Sequence, residues 1–224
     1  MAVAPVGLPE GLAYTEDRRL GIVGAGKFGT TLARLAVEAG YDVVISGSGP
    51  VDEIALTVEV LAPHAHPATT DEVVRFADVI VLAIPIHRFR ELPRDLFAGK
   101  ILVDATNYWE PVDGDDPELA AAPEGTSMVV QERFPSARVV KSLNQLGYHQ
   151  VEENARPTGA SDRIAMGAVG DDRLAVRKVM RLVDRLGFDP VDAGPLKNGL
   201  ALEPDGSPIA TTYTRDQLSE LVAR

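Results

Sequence analysis

The 224-residue sequence contains no cysteine, which excludes disulfides, thiolate nucleophiles, iron–sulfur clusters and cysteine-ligated zinc. It also lacks any apolar run approaching the roughly 20 residues that span a bilayer. The segment from Met1 to Arg19 has no cationic start followed by an apolar block, so it does not resemble a secretory signal. We therefore predict a cytoplasmic protein that does not interact with membranes.

Basic residues are also scarce. The chain has 22 Lys and Arg against 33 Asp and Glu, a net charge of -11, and the excess of acid runs through both halves. Because nucleic-acid affinity depends on Lys and Arg neutralising phosphates, this composition argues against a nucleic-acid partner. The 45% hydrophobic and 25% charged residues are typical of a globular protein. The expected partners are small molecules, and a homodimer is left open.

Short apolar segments alternate with helical segments along most of the chain. This pattern predicts an α/β fold with a doubly wound, mostly parallel sheet and a small C-terminal extension. We interpret residues 1–19 as a surface arm, disordered or partly ordered, residues 20–200 as the domain that contains this sheet, and residues 201–224 as a tail with a short helix. Thr214 and Gln217 have the spacing of a capping box for that helix.

Three connections carry further predictions. Residues 86–99 are expected to form a helix interrupted near Pro93, and residues 150–160 a loop. Residues 108–125 are rich in Pro and Asp and form the longest candidate irregular loop, a kind of segment that often carries function.

A glycine-rich turn follows the first apolar strand and leads into a predicted helix. Its letters, GAGKFG, have the spacing GxGxxG. In this motif the first glycine allows a tight turn, the second lets a pyrophosphate approach the backbone, and the third lets helix and strand pack closely. Because strand, helix and next strand are all present, a turn without a ligand is the weaker interpretation. We predict that a dinucleotide binds to Gly24, Ala25, Gly26, Lys27, Phe28 and Gly29.

The end of the second strand decides which dinucleotide binds. An acidic residue there would grip the ribose 2′-hydroxyl of NAD, but the segment is Ser46-Gly47-Ser48-Gly49. The two hydroxyls and the missing carboxylate favour NADP, bound by Ser46 and Ser48. We therefore predict that residues 20–200 form an NADP-binding domain with the Rossmann NAD(P)-binding fold. The alternative is that both serines are ordinary turn residues. Ser46→Asp is expected to shift the preference towards NADH.

Six segments along the chain resemble the coenzyme F420-dependent NADP oxidoreductase family, whose Rossmann fold also forms the cytosolic domain of some ferric reductases. The resemblance covers about residues 20–200 and lies in GIVGAGKFG, VLAIP (81–85), VDATN (103–107), VVKSLN (139–144), AVGDD (168–172) and VDAGPL (191–196). The family's Ser-Arg pair for the 2′-phosphate is replaced here by Gly47 and Ser48. The C-terminal tail also differs from that of the deazaflavin enzymes.

The resemblance implies hydride transfer between NADPH and a deazaflavin (coenzyme F420) or flavin-type acceptor. It also implies that two strand ends lie beside the nicotinamide and that the next strand approaches the same site. The alternatives are an NADP(H)-dependent reductase of a small carbonyl substrate and a non-catalytic NADP(H) sensor. The cofactor-binding residues implied in this way are Ala83, Ile84, Pro85, Thr106, Asn107, Ser142 and Asn144.

No acid–base dyad is evident, so the catalytic residues stay unassigned, with His87 and Asn107 as candidates. His87 could meet the nicotinamide or merely cap the following helix. Tyr108 and Trp109 could stack on the acceptor ring or clamp a surface loop. No metal site is predicted, because His64 and His66 lack a third ligand and the Asp113, Asp115 and Asp116 cluster lacks the closing glutamate of a calcium loop.

Overall fold

The computed structural model describes residues 18–203 and 212–223. They fall into two units, the first ending at Ile84 and the second beginning at Pro85. Most of the predicted arm, residues 1–17, and part of the predicted tail, residues 204–211 and 224, lie outside the described residues. The proposed boundaries at 19/20 and 200/201 stay predictions.

The first unit is a parallel sheet whose strands are joined by helices. Its strand order is β3-β2-β1-β4, and all three pairings are parallel. The chain therefore leaves β1 on one side and returns to its other side at β4, which makes the β1/β4 boundary the switch point where such sheets bind ligands. The elements are β1 (Arg19–Val23), α1 (Lys27–Glu38), β2 (Asp42–Ser46), α2 (Val51–Leu61), β3 (His66–Pro67), α3 (Thr70–Phe76) and β4 (Val79–Leu82).

The second unit contains four strands in the order β5-β6-β7-β8. Within it, β5 with β6 and β7 with β8 are parallel, and β6 with β7 is antiparallel. Two 3-10 helices lie at Ile86–Glu91 and Leu196–Leu202. The other elements are β5 (Ile101–Asp104), α4 (Glu110–Asp113), α5 (Pro117–Ala120), α6 (Thr126–Arg133), β6 (Arg138–Lys141), α7 (Tyr148–Asn154), β7 (Ala165–Gly170), α8 (Arg173–Arg185), β8 (Asp189–Asp192) and α9 (Arg215–Val222).

These strands confirm the predicted class, a mostly parallel α/β sheet with flanking helices. Strands β4, β5 and β7 are mainly apolar and buried on both faces, as expected where helices cover a parallel sheet, whereas β3 and β8 are partly exposed. The capping box before α9 is also confirmed, since the Thr214 N–H donates to Gln217 Oε1 at 2.9 Å. None of the helices in the described ranges combines the length and apolarity needed to cross a membrane.

All three predicted connections need correction. Residues 86–99 hold a 3-10 helix that stops before Leu92, whose extended backbone is the conformation that a following proline imposes. The supposed loop at 108–125 contains α4 and α5, each with a proline in its first turn, where no N–H is needed. The supposed loop at 150–160 instead begins inside α7.

Helix α8 begins at an aspartate that accepts hydrogen bonds from two orphan backbone N–H groups. Asp172 Oδ1 lies 2.9 Å from the nitrogens of Leu174 and Ala175. The N–H of Ala175, more than that of Leu174, holds the pKa of the Asp172 carboxyl below its ordinary value of 3.8. A carboxyl with a lowered folded pKa contributes stability above its unfolded pKa and loses it as the pH falls through the folded one.

We expect Asp172→Ala to lower the free energy of unfolding by about 0.5–1 kcal/mol near neutral pH, because the cap is lost and a half-exposed side chain is screened by solvent. Urea unfolding should show the difference shrinking once the pH falls below 3.8. Asp172→Asn is the control, since it keeps an acceptor without a titrating charge. A deficit that stays constant down to acid pH would contradict this account.

Candidate functional site

The glycine turn of the first unit joins β1 to α1 at the switch point. Gly24 has a φ of +120°, which favours glycine, and a Cβ there would lie 2.2 Å from the carbonyl oxygen of Ala83. A Cβ at Gly29 would lie 1.8 Å from the carbonyl oxygen of Gly24. Both glycines are therefore required by the protein's own packing, in agreement with the roles inferred from the motif.

Gly26 differs from its two neighbours in the motif. It is exposed, its φ of -78° suits any residue, and a Cβ there would meet no described atom within 4 Å beyond its chain neighbours. Steric packing therefore gives no reason for a glycine at this position, and the only structural preference for glycine here is the modest one of a helix N-cap. Open space above the backbone is what a closely approaching pyrophosphate requires.

Helix α1 begins at this open position. No described side chain caps its N-terminus, and its first turn contains no acidic residue. By contrast, α3 has a capping box between Thr69 and Glu72 and acids in its first turn. The first turn of α1 thus places no carboxylate of its own at the positive end of the helix dipole, a suitable environment for an anion.

The two predicted 2′-phosphate serines lie in different environments. Ser46 is fully buried, and its hydroxyl accepts a hydrogen bond from the Thr70 hydroxyl at 3.1 Å. Ser48 is exposed. A carboxylate introduced at position 46 would enter the core, so Ser48→Asp, rather than Ser46→Asp, is the variant that tests the preference for NADPH over NADH.

The sequence analysis missed an acid beside this loop. A Cβ on Gly49 would lie 2.3 Å from Glu53 Oε2, so the Glu53 carboxylate lies against the Gly49 backbone. Glu53 belongs to the first turn of α2, four residues after Gly49, and the spacing of the usual strand-end acid did not reveal it. Ala83 and Ile84, the first-unit residues predicted beside the nicotinamide, follow β4 and are half-buried.

In the second unit the structure brings Asn107 and Asn144 together. Asn144 Nδ2 donates to Asn107 Oδ1 at 2.9 Å, and Asn107 Nδ2 donates to the Asn144 carbonyl at 2.7 Å. The buried Asn144 Oδ1 accepts no hydrogen bond from the described residues. An unsatisfied buried acceptor costs about 1–3 kcal/mol, so this atom is a candidate for a ligand's N–H.

The hydroxyls predicted beside these asparagines are already engaged. Ser142 is fully buried and donates to the Gly167 carbonyl at 2.8 Å. The Thr106 hydroxyl donates to Asp104 at 2.6 Å. Pro85, the remaining predicted residue of this unit, is exposed at the start of the 3-10 helix.

His87 is paired with an aspartate. Its Nδ1 lies 2.8 Å from Asp113 Oδ1, and Asp113 also accepts the Trp109 N–H at 2.9 Å. The imidazole is 38% exposed while the carboxylate is almost fully covered. A carboxylate that fixes one ring nitrogen leaves the other to exchange protons, so this pair can act as an acid or base. The sequence analysis noted both residues without pairing them.

Tyr108 is the loop clamp that one interpretation foresaw. Its hydroxyl donates to the Gly114 carbonyl at 2.9 Å and accepts from the Asp116 N–H at 3.1 Å. The Trp109 residue is 62% exposed, so its ring is available to a ligand. The described residues include no cluster of three or more His, Cys, Asp or Glu suited to a metal ion.

The sequence analysis also overlooked a buried lysine. Lys141 is completely buried at the end of β6, with its Nζ 3.2 Å from Glu203 and 3.6 Å from Asp104. It also donates to the Thr106 carbonyl at 3.1 Å. Ser127 donates to Asp104 and Thr126 to Glu203, so hydroxyl groups satisfy the carboxylates further.

The strand order and the glycine turn define an NAD(P)-binding Rossmann fold. Residues 19–108 match the family model described as NADP oxidoreductase, coenzyme F420-dependent, which confirms the resemblance over that part of the chain. The matching family model is that of NADP-dependent oxidoreductases.

Two curated proteins are similar in sequence. Metalloreductase STEAP3 of Rattus norvegicus is 27% identical over 190 residues, which is 84% of this chain and 36% of that protein. Glycerol-3-phosphate dehydrogenase [NAD(P)+] of Corynebacterium diphtheriae is 24% identical over 165 residues, which is 60% of this chain and 49% of that protein. The chain thus spans half or less of the length of these relatives.

The solved structures of similar fold include two that cover most of this chain. A hypothetical protein of Sinorhizobium meliloti has a TM-score of 0.77 at 24% identity, covering 88% of this chain and 96% of the other. A protein of Arthrobacter sp. FB24, described as a candidate F420-dependent NADP reductase, has a TM-score of 0.67 at 27% identity, covering 80% and 86%. Both bear out the Rossmann fold class.

Proposed function

We propose that this chain transfers hydride between NADPH and a deazaflavin (coenzyme F420) or flavin-type acceptor. The observation that carries the proposal is Gly26, a glycine that the fold does not need, at the open end of an uncapped helix. The family match over residues 19–108 and the similarity to a candidate F420-dependent reductase support the same activity.

The residues present fit such a cofactor. The turn from Gly24 to Gly29 would hold the pyrophosphate through its backbone, and Ser48 would meet the 2′-phosphate. Asn107 and Asn144 offer amide groups for polar contacts, including the unsatisfied Asn144 Oδ1. NADPH supplies the hydride when bound. The chain's part is to orient the rings and exclude water, since transfer between two rings depends on positioning more than on an acid.

Absorbance measurements of NADPH oxidation test the acceptor. Coenzyme F420, FMN and small carbonyl compounds are offered in turn, and NADPH affinity is measured in parallel by titration. We expect turnover with F420 or FMN. Tight NADPH binding without turnover by any acceptor would favour the sensor instead, and absent binding would remove the proposal.

The His87–Asp113 pair favours a second candidate, reduction of a small carbonyl substrate. Hydride addition to a carbonyl also requires a proton for the oxygen, and His87 can donate one while Asp113 holds the ring. His87→Gln would lower turnover of a carbonyl substrate by roughly 100-fold, within the usual contribution of a general acid. The same variant should leave turnover of F420 or FMN almost unchanged, which separates the two candidates.

Glu53, the acid beside the loop at residues 46–49, is expected to affect the preference between NADPH and NADH. Like charges about 4 Å apart repel by roughly 1 kcal/mol in water. Glu53→Gln should therefore raise the affinity for NADPH relative to NADH by about fivefold. Titration of both nucleotides measures the ratio, and Glu59→Gln, also exposed on α2, is the control. A ratio that rises equally in both variants, or in neither, would exclude a contact between Glu53 and the phosphate.

A further inference from the structure

A cavity of about 330 Å³ opens within the second unit. It is lined by side chains from residues 108–126, by Leu200 of the 3-10 helix Leu196–Leu202, and by Glu203. Its volume lies at the small end of the range for ligand pockets. The aromatic residues Tyr108 and Trp109 and the aliphatic residues Leu119 and Leu200 line the cavity. Trp109 and Leu200 are both exposed apolar residues, at 62% and 41%. The walls therefore suit an apolar ligand body.

The charged groups of the cavity are all acidic. Glu110 and Glu203 line it, and the described lining includes no Lys, Arg or His. An anionic ligand would meet two carboxylates and no cationic side chain in the described lining. The aromatic faces carry negative potential as well, which attracts cations.

Glu203 is the buried acid of the cavity, with a side chain only 8% exposed. Its Oε1 accepts from the Thr126 N–H at 2.7 Å, from the Thr126 hydroxyl at 2.8 Å and from Lys141 Nζ at 3.2 Å. Its Oε2 receives no hydrogen bond from the residues that the structure describes. One oxygen is thus saturated by the protein while the other is left for a donor.

The lysine behind Glu203 does not neutralise this region. Lys141 is shared with Asp104, which is fully buried. With all three groups ionised, two carboxylates face one ammonium and the trio keeps one formal negative charge. A buried carboxylate with a free oxygen is stabilised by a cationic donor, which forms a strong charge-assisted hydrogen bond.

We propose that this cavity binds a small organic cation, an ammonium group on an apolar or aromatic body. The ammonium would donate to Glu203 Oε2, and the body would lie against Trp109 and Leu200. This proposal does not depend on the proposed NADPH activity, because the cavity contains none of the residues of the glycine turn.

Calorimetric titration with two matched probes tests the proposal without NADPH. Phenethylamine is protonated near neutral pH, whereas phenethyl alcohol has nearly the same shape and no charge. We expect the amine to bind at least about tenfold more tightly than the alcohol, because it alone combines a charge-assisted hydrogen bond with a cation–π contact. Equal binding of the two probes, or binding of neither, would overturn the proposal.

Variants of the lining residues test whether the amine binds in this cavity. Glu203→Gln and Trp109→Leu should each weaken the amine by about tenfold and reduce the difference between the probes. Glu132→Gln, exposed outside this cavity, is the control and should change nothing. If Glu203→Gln fails to fold, the exposed Trp109→Leu and Glu110→Gln variants decide the matter. Unchanged amine affinity in both would place the cation elsewhere and reject this site.

Discussion

Gly26→Val is expected to weaken NADPH binding by about 100-fold or more, equivalent to ~2.8 kcal/mol, while the protein stays folded. The branched side chain would fill the space that a pyrophosphate needs above the turn. The packing of the protein loses nothing, since a Cβ there meets no described atom within 4 Å beyond its chain neighbours, and only the modest preference for glycine at a helix N-cap is lost. Fluorescence titration with NADPH gives the affinity, and urea unfolding gives the stability.

The other glycines of the motif are the matched comparison. Gly29→Ala should destabilise the protein, because its Cβ would lie 1.8 Å from the Gly24 carbonyl oxygen. Gly26→Ala should have a smaller effect on affinity than Gly26→Val and should lower the stability by no more than about 1 kcal/mol, the usual contribution of an N-cap. A folded Gly26→Val protein with unchanged NADPH affinity would refute the role of this turn. Loss of stability equal to that of Gly29→Ala would refute the structural argument.

Local sequence patterns explain why the glycine turn and the strands beside it could be predicted. A tight turn, a close helix–strand contact and apolar runs each depend on a few neighbouring residues, so GAGKFG and the strands that flank it indicate their own structure. The same holds for Asp172 and Thr214, whose partners lie within three residues. The missed helices α4 and α5 show the limit, because proline and aspartate occur both in loops and in helix first turns.

The partners in the second unit could not be predicted in this way. Lys141 stands among the apolar residues of a strand, and nothing local shows that Asp104 and Glu203 approach it from distant parts of the chain. His87 and Asp113 are also separated by a strand. Ser46 and Ser48 look equivalent in sequence, yet one is buried and one exposed, because β2 ends at Ser46 and Ser48 lies in the turn beyond it. Such features depend on tertiary packing.

Lys141→Met is expected to lower the free energy of unfolding by about 3–5 kcal/mol near neutral pH. Methionine preserves the apolar stem, which packs near Gly199, but removes the ammonium. Asp104 and Glu203 would then be two buried carboxylates without a cation, and removing one partner from a buried ionic group leaves a large desolvation penalty. Urea unfolding at a fixed pH measures the loss.

Two variants separate charge from packing. Lys197→Met lies in the second 3-10 helix, where the lysine is exposed, and should change the stability by no more than about 0.5 kcal/mol. Adding Glu203→Gln to Lys141→Met should recover part of the loss, because it removes one of the two uncompensated charges, and effects within one network are not additive. If the double variant is less stable than Lys141→Met alone, the lysine stabilises the unit by its packing and hydrogen bond to Thr106, and the charge balance of the trio has no role in it.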